Sequence, residues 1–148
     1  MEFEKALIDG QKSEETVLGV IQKKYPNAFI ISGYHKEYDI DIPEIGQTVE
    51  VKKDFKSQET GNIVIEIEMN GEPSGLSTTT ADWWAIHISS KYLIWITPET
   101  IKEMLMIEEF NTVEFIGKGD DVSKIAYLIP KKCFFIYCHK IQRLKSEE

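Results

Sequence analysis

The stretch from Tyr38 through Asp39-Ile40-Asp41-Ile42-Pro43-Glu44-Ile45-Gly46 to Gln47-Thr48-Val49-Glu50-Val51-Lys52-Lys53-Asp54 constrains the fold of this chain more than any other. Two of its runs alternate charged and apolar residues with the period of a strand. Between them stands Pro43-Glu44-Ile45-Gly46, where Pro fixes φ and Gly supplies a positive φ. This pattern predicts a β-hairpin with two possible registers. A turn centred on Glu44-Ile45 sets Asp39 opposite Glu50, and one centred on Ile45-Gly46 sets Asp41 opposite Glu50. In either register Asp39, Asp41, Glu50 and Lys52 share one face, while Ile40, Ile42, Val49 and Val51 fill the other.

Carboxylates crowded on one strand face repel one another unless a cation sits among them. Hard oxygen ligands suit magnesium or manganese. A lysine two residues beyond a metal-binding glutamate can touch a water or an anionic transition state beside that metal. Metal-assisted phosphodiester hydrolysis needs those parts. The simpler alternative is a solvated strand face of mixed charge.

The spacing Asp-x(8 or 10)-Glu50-Val51-Lys52 resembles the PD-(D/E)xK nuclease superfamily, which includes Holliday-junction resolvases, restriction endonucleases and phage or repair nucleases. One departure is that no Pro precedes either aspartate, so Asp39 and Asp41 compete for one role. Further along, Thr60-Gly61-Asn62-Ile63-Val64-Ile65-Glu66 and the run from Pro73 to Trp84 resemble a small phage-type and bacterial subgroup. There a TGN strand and a T-x-A-D-x-W turn follow the Glu-x-Lys strand. The resemblance spans Ser13 to Ile88.

It implies an α/β, restriction-endonuclease-like core, with a central mixed β-sheet flanked by α-helices, in a single domain over residues 1–148. It also implies a divalent-metal-dependent endonuclease acting on DNA, with magnesium or manganese as cofactor. Asp39 or Asp41 would hold the metal with Glu50, and the Val51 carbonyl would be an additional ligand. Lys52 would orient the attacking water or stabilise the pentavalent charge. An N-terminal helix often adds a glutamate to the site in this family, and Glu14 matches that position better than Glu15.

The residues around Glu14 support a helix independently. Ser13 offers an N-cap after a weakly patterned lead-in, and Thr16 to Lys24 carries an inward stripe of Val17, Leu18, Ile21 and Tyr25. Glu14 falls on that stripe, where an unpaired carboxylate is costly. The alternative for it is a partly exposed glutamate favoured by the helix dipole.

Charge narrows the partners. The net charge of −8 counts against a protein that coats DNA, and Arg143 is the lone arginine, so base reading by arginine forks is disfavoured. DNA bound with little sequence specificity is the expected partner, with Lys53, Lys56, Ser77 and Thr79 as candidates for phosphate contact. Trp83 or Trp84 could stack on an unpaired base or serve as core. A homodimer is a possible assembly. No apolar run reaches membrane-spanning length and no signal-peptide layout opens the chain, so a soluble cytoplasmic protein is expected.

The remaining elements follow from periodicity and breakers. Strands are predicted over residues 28–32, 63–69, 85–88, 92–96, 112–116 and 124–129, with Ala81 to Trp84 a short helix or turn. Glu66 and Glu68 share one side of their strand, either a solvated edge or a second carboxylate row near the metal. Thr97-Pro98-Glu99 starts a helix running to about Glu108. Residues 131–141 fit either period. His35 reads as a surface turn residue, and Asp120-Asp121 as an exposed turn. Cys133, Cys138 and His139 lack the spacing of a zinc site and read as buried thiols in an apolar segment. A second class of function is a nuclease-like fold that binds nucleic acid or protein without cutting. A third is a metal hydrolase acting on other substrates.

Overall fold

The computed structural model describes residues 2–33, 38–116 and 122–145, with side chains from residue 8 onward. His35 and the Asp120-Asp121 turn lie outside the described residues. Helix α1 spans Glu2–Gln22 and is followed by strands β1 (Phe29–Ile30), β2 (Ile40–Ile42) and β3 (Gln47–Lys53). A single-turn helix α2 (Ser57–Thr60), β4 (Asn62–Met69), β5 (Glu72–Pro73) and a 3-10 turn at Gly75–Ser77 lead to β6 (Trp83–Ser89) and β7 (Tyr92–Ile96). Helix α3 (Pro98–Ile107), β8 (Thr112–Ile116), β9 (Ser123–Pro130), helix α4 (Lys131–Tyr137) and β10 (Lys140–Arg143) complete the order.

The six-stranded sheet runs β1-β2-β3-β6-β7-β10. It is mixed: β3 and β6 pair in parallel, and the other neighbours pair antiparallel. A parallel pair needs a long crossover. Here the crossover carries β4 and β5, which join β9 and β8 in a second sheet of order β5-β4-β9-β8. The α/β class and the mixed sheet flanked by helices agree with the expected restriction-endonuclease-like core; the second sheet is an addition to it.

Alternation along the strands divides the core into two layers. On one face Val49, Ala85, Ile40, Ile42 and Leu93 pack against Val17 and Ile21 of α1. On the other, Trp84, Ile86, Ile94 and Ile96 pack against Ile63, Ile65 and Ile129 of the second sheet, with Ile101, Met104 and Phe134 from α3 and α4. Each fully buried aliphatic side chain of this kind contributes about 1.5–3 kcal/mol.

Several local expectations change. Ser13 is not an N-cap, because the helix begins at Glu2 and Ser13 lies within it. Its hydroxyl pairs with His87 Nδ1 at 2.8 Å, and Ser13, Val17 and Ile21 form the buried stripe. Trp83 and Trp84 open strand β6 instead of forming a turn, since pairing with β3 and β7 satisfies their backbone. The predicted strand at 28–32 shrinks to Phe29–Ile30, at the sheet edge. Residues 131–141 divide into α4 and β10.

The start of α3 is as predicted, with Thr97 Oγ1 accepting from the Thr100 amide at 3.2 Å. Cys133 and Cys138 are free thiols, Cys133 buried and Cys138 half-buried. No helix among the described residues is long and apolar enough to cross a membrane.

Candidate functional site

The hairpin takes the register of a turn centred on Glu44-Ile45. Ile40 pairs with Val49, Asp41 with Thr48 and Ile42 with Gln47; carried one residue further, this register sets Asp39 level with Glu50, although the Asp39 amide itself bonds to Val49 O. Hydrogen bonds from Ile45 N to Ile42 O and from Gly46 N to Pro43 O, both 3.3 Å, close the turn. Gly46 takes a φ of 62°, a conformation that costs glycine little. The alternative register, with Asp41 opposite Glu50, is not adopted. Asp41 faces Thr48 on one side and Phe29 on the other.

Asp39 is tied to β3 twice. Its amide donates to Val49 O at 3.0 Å, and its Oδ2 accepts the Val51 amide proton at 2.7 Å. The N–H and C=O of one strand residue point toward the same neighbour. The Val51 carbonyl is therefore directed to the edge at which Asp39 sits. Asp39 and the Val51 backbone converge just before β2 begins, within charge range of Glu50.

Glu50 is largely buried, its side chain 18% exposed. Its Oε2 is buried and makes no hydrogen bond, although Lys52 Nζ approaches to 3.4 Å. At that distance and alignment the ammonium supplies charge more than a directed bond. Burial raises the Glu50 pKa above the usual carboxylate range; Lys52 pulls it down, while Asp39 and Glu66 push it up. Lys52 Nζ also lies 5.2 Å from the centroid of the Trp84 ring. The Trp84 indole is fixed in turn by its Nε1 donating to Thr79 Oγ1 at 3.2 Å.

Glu66 is the participant that sequence reasoning left between two alternatives. Strand β4 carries a bulge between Glu66 and Glu68, so their simple alternation is broken. Ser74 Oγ donates to Glu66 Oε2 at 2.8 Å, and Lys124 Nζ lies 3.5 Å from Oε1. Gly75, at φ 55°, crosses the Glu66 backbone so closely that a Cβ there would sit 2.2 Å from the Glu66 carbonyl oxygen. The Pro73-Ser74-Gly75 signal thus marks a loop locked onto Glu66. The packing of the second sheet is what makes Glu66 a neighbour in charge to Glu50.

The other candidates are placed as follows. Glu14 is half-buried on α1, the helix that covers the Val49 face, whereas Glu50 and Lys52 stand on the opposite face. Lys53 points to the α1 face, 3.7 Å from Asp9 Oδ2 and 4.5 Å from the Phe55 ring centroid. Lys56 is exposed beside α2. Ser77 Oγ donates to Ile67 O at 2.9 Å, and Thr79 Oγ1 accepts from Trp84 and, at 3.3 Å, from the Ala81 amide. Asp82 Oδ2 accepts from the Thr48 amide at 2.9 Å, so the Thr79-to-Trp84 motif clamps the start of β3.

Among the described residues no group of three or more His, Cys, Asp or Glu side chains is gathered so as to hold a metal ion. The oxygen set at the hairpin is two carboxylates, Asp39 and Glu50, with the Val51 carbonyl. Magnesium commonly takes a small protein share of this kind and keeps several waters. A buried carboxylate oxygen without a hydrogen-bond partner fits such a ligand.

No family model, curated protein or solved structure matches the chain.

Proposed function

We propose that this protein is a divalent-metal-dependent endonuclease hydrolysing DNA phosphodiester bonds at the Asp39–Glu50–Lys52 face. The observation that carries the reading is the buried Glu50 Oε2, which has the Lys52 ammonium at 3.4 Å but no well-aligned hydrogen bond, with Asp39 as a second carboxylate close enough to act on its charge. Leaving a buried polar atom unsatisfied costs about 1–3 kcal/mol, and more when it is charged. Lys52 at 3.4 Å offsets part of that cost, and a cation held by Asp39, Glu50 and the Val51 carbonyl would remove the rest.

Hard oxygens select magnesium or manganese, and such an ion when bound lowers the pKa of a water and neutralises charge at the phosphate. Asp39 is pre-positioned by the Val51 amide, and Glu50 by its strand. Lys52 stands on the same face with its ammonium steadied over Trp84. It can donate to the attacking water or to a non-bridging phosphate oxygen, where negative charge develops. Lys53, Lys56 and Ser77 are exposed candidates for phosphate contact, of which Lys53 also pairs with Asp9 and Ser77 with the Ile67 carbonyl, while Thr79 is engaged with Trp84. With one arginine, specificity for base sequence is low.

The test is cleavage of supercoiled, linear, single-stranded and four-way-junction DNA, with magnesium, manganese or EDTA, by wild type and Glu50→Ala. Metal-dependent cutting that the variant loses supports the enzyme. No cutting under any condition by folded protein overturns it, and leaves a nuclease-like protein that binds without cutting.

A further inference from the structure

The face of the large sheet opposite Glu50 and Lys52 is only partly covered. Helix α1 ends at Gln22, and beyond it a groove with a cavity volume of about 470 Å³ opens on the sheet. Trp83 and Trp95 line it as half-buried rings. They share this face because Trp83 pairs with Val49, and Trp95 with Ala85, both members of the layer under α1. Adjacent tryptophans thus serve opposite sides of the sheet: Trp84 lies under Lys52, and Trp83 lines the groove.

Both groove indoles are held in place at their polar edge. Trp83 Nε1 donates to Gln47 Oε1, and Trp95 Nε1 to Gln142 Oε1, each at 2.9 Å. His139 packs edge-on against Trp83, with ring centroids 5.1 Å apart. The rings therefore offer pre-oriented aromatic surface, whose ordering is complete before any ligand arrives. Around them stand Lys23 and Lys24 from the turn after α1 and Lys140 from β10, with Tyr25 beside them. No Asp or Glu among the described residues lines the groove, although acidic residues outnumber basic ones by 25 to 17 in the chain. Cations have been gathered here against the overall charge.

Fixed aromatic faces rimmed by lysines complement a flat ring carrying an anion. We propose that this groove binds an unpaired nucleotide, its base against Trp83 and Trp95 and its phosphate among Lys23, Lys24 and Lys140. Stacking on indoles accepts any base, and lysines act on phosphate as point charges, so recognition is tolerant of sequence. The same chemistry is presented by a free nucleotide and by a single strand. The proposal does not rest on the nuclease reading, because the groove and the Glu50 face lie on opposite sides of the sheet.

The experiment is a titration of intrinsic tryptophan fluorescence in EDTA with dTMP and, separately, with an oligo-dT strand. The proteins are wild type, Lys24→Ala/Lys140→Ala and Lys52→Ala, each checked for folding by circular dichroism. Saturable quenching is expected, with affinity that weakens as salt rises and falls about ten-fold in the double variant. Quenching by dTMP identifies a free-nucleotide site, and quenching by oligo-dT alone a single-strand site. Either of two results overturns the proposal: no saturable quenching by either probe, or binding that survives the double variant, whether or not Lys52→Ala loses it.

Discussion

Asp39 Oδ2 accepts the Val51 amide proton at 2.7 Å, so a carboxylate at the start of one strand completes the hydrogen bonding of the next. The same contact sets the Val51 carbonyl and the Asp39 carboxylate at one edge, where the Asp39 charge acts on Glu50. Structure and proposed chemistry therefore depend on different properties of one side chain. The hydrogen bond needs an oxygen acceptor; metal binding needs the negative charge.

Substitutions at Asp39 separate the two. Asp39→Asn retains an acceptor for Val51 and is expected to unfold within about 1 kcal/mol of wild type, whereas Asp39→Ala leaves a part-buried amide unpaired and loses about 1–3 kcal/mol. Both are expected to lose magnesium affinity in calorimetric titration. Asp41→Ala, across from Thr48, is expected to keep it. Equal magnesium binding by Asp39→Asn and wild type would remove Asp39 from the metal set.

Lys52→Ala is expected to abolish cleavage while leaving folding and DNA binding largely intact. Its side chain is 39% exposed, so truncation costs little packing. A transition-state donor of this kind is worth about 10²–10³ in rate. Normal cleavage by a well-folded Lys52→Ala protein would sink the mechanism.

Glu50 links stability to pH. Its folded-state pKa is raised, chiefly by burial, so between the ordinary carboxylate value and the folded value the native state binds more protons than the unfolded state. Stability falls as pH rises through that window, and the loss is complete above it. Glu50→Gln is expected to make the metal-free protein more stable at neutral pH, by about 1 kcal/mol, by removing a buried charge. Urea denaturation in EDTA, at a pH near the ordinary carboxylate value and again near neutrality, measures it. A gain independent of pH would assign the effect to packing.

His87 gives the opposite sign. Its pKa is lowered, first by burial and then by Lys53, with a hydrogen bond to the Ser89 backbone working the other way. Below the ordinary imidazole value the unfolded state takes up the proton first, so stability is lost as pH falls from about 6.5. His87→Gln is expected to flatten this slope. Ser13→Ala removes the Nδ1 partner and is expected to cost about 1–3 kcal/mol near neutral pH. An unchanged acid slope in folded His87→Gln would place the titration elsewhere.

Gly75→Ala is expected to destabilise the fold by about 3 kcal/mol or more, since its Cβ meets backbone at a strained φ. The clash is with the Glu66 carbonyl oxygen, which no side-chain rotation relieves. The Ser74–Glu66 bond should be lost with it, and thermal unfolding with hydrogen exchange over residues 62–77 reads both effects. A Tm unchanged in Gly75→Ala would mean that the loop shifts freely.

What could be read without coordinates was local. The hairpin, its charged and apolar faces and the α3 start follow from period-two alternation, from Pro43 and Gly46, and from Thr97-Pro98. Those signals act between residues a few positions apart. The register was open in the sequence, because both turn centres leave the same residues on the same face. It is decided by the turn hydrogen bonds and the pairing of Asp39 with β3. Ser13 looked like a cap because its role is set by His87, 74 residues away. Strand propensity marked β4 and β9 correctly without saying that they would form a sheet of their own.

Glu66 shows the limit best. Its own strand left it equally suited to solvent or to a metal, and only the stacking of one sheet on the other brings its charge to bear on Glu50. The nucleotide groove arises the same way, from where α1 stops over strands drawn from distant parts of the chain. The alternation of side chains along a strand is dictated by backbone stereochemistry, which the sequence carries by itself. Which strand faces meet, and which charges are desolvated together, is dictated by burial of the whole core, and that belongs to the tertiary structure.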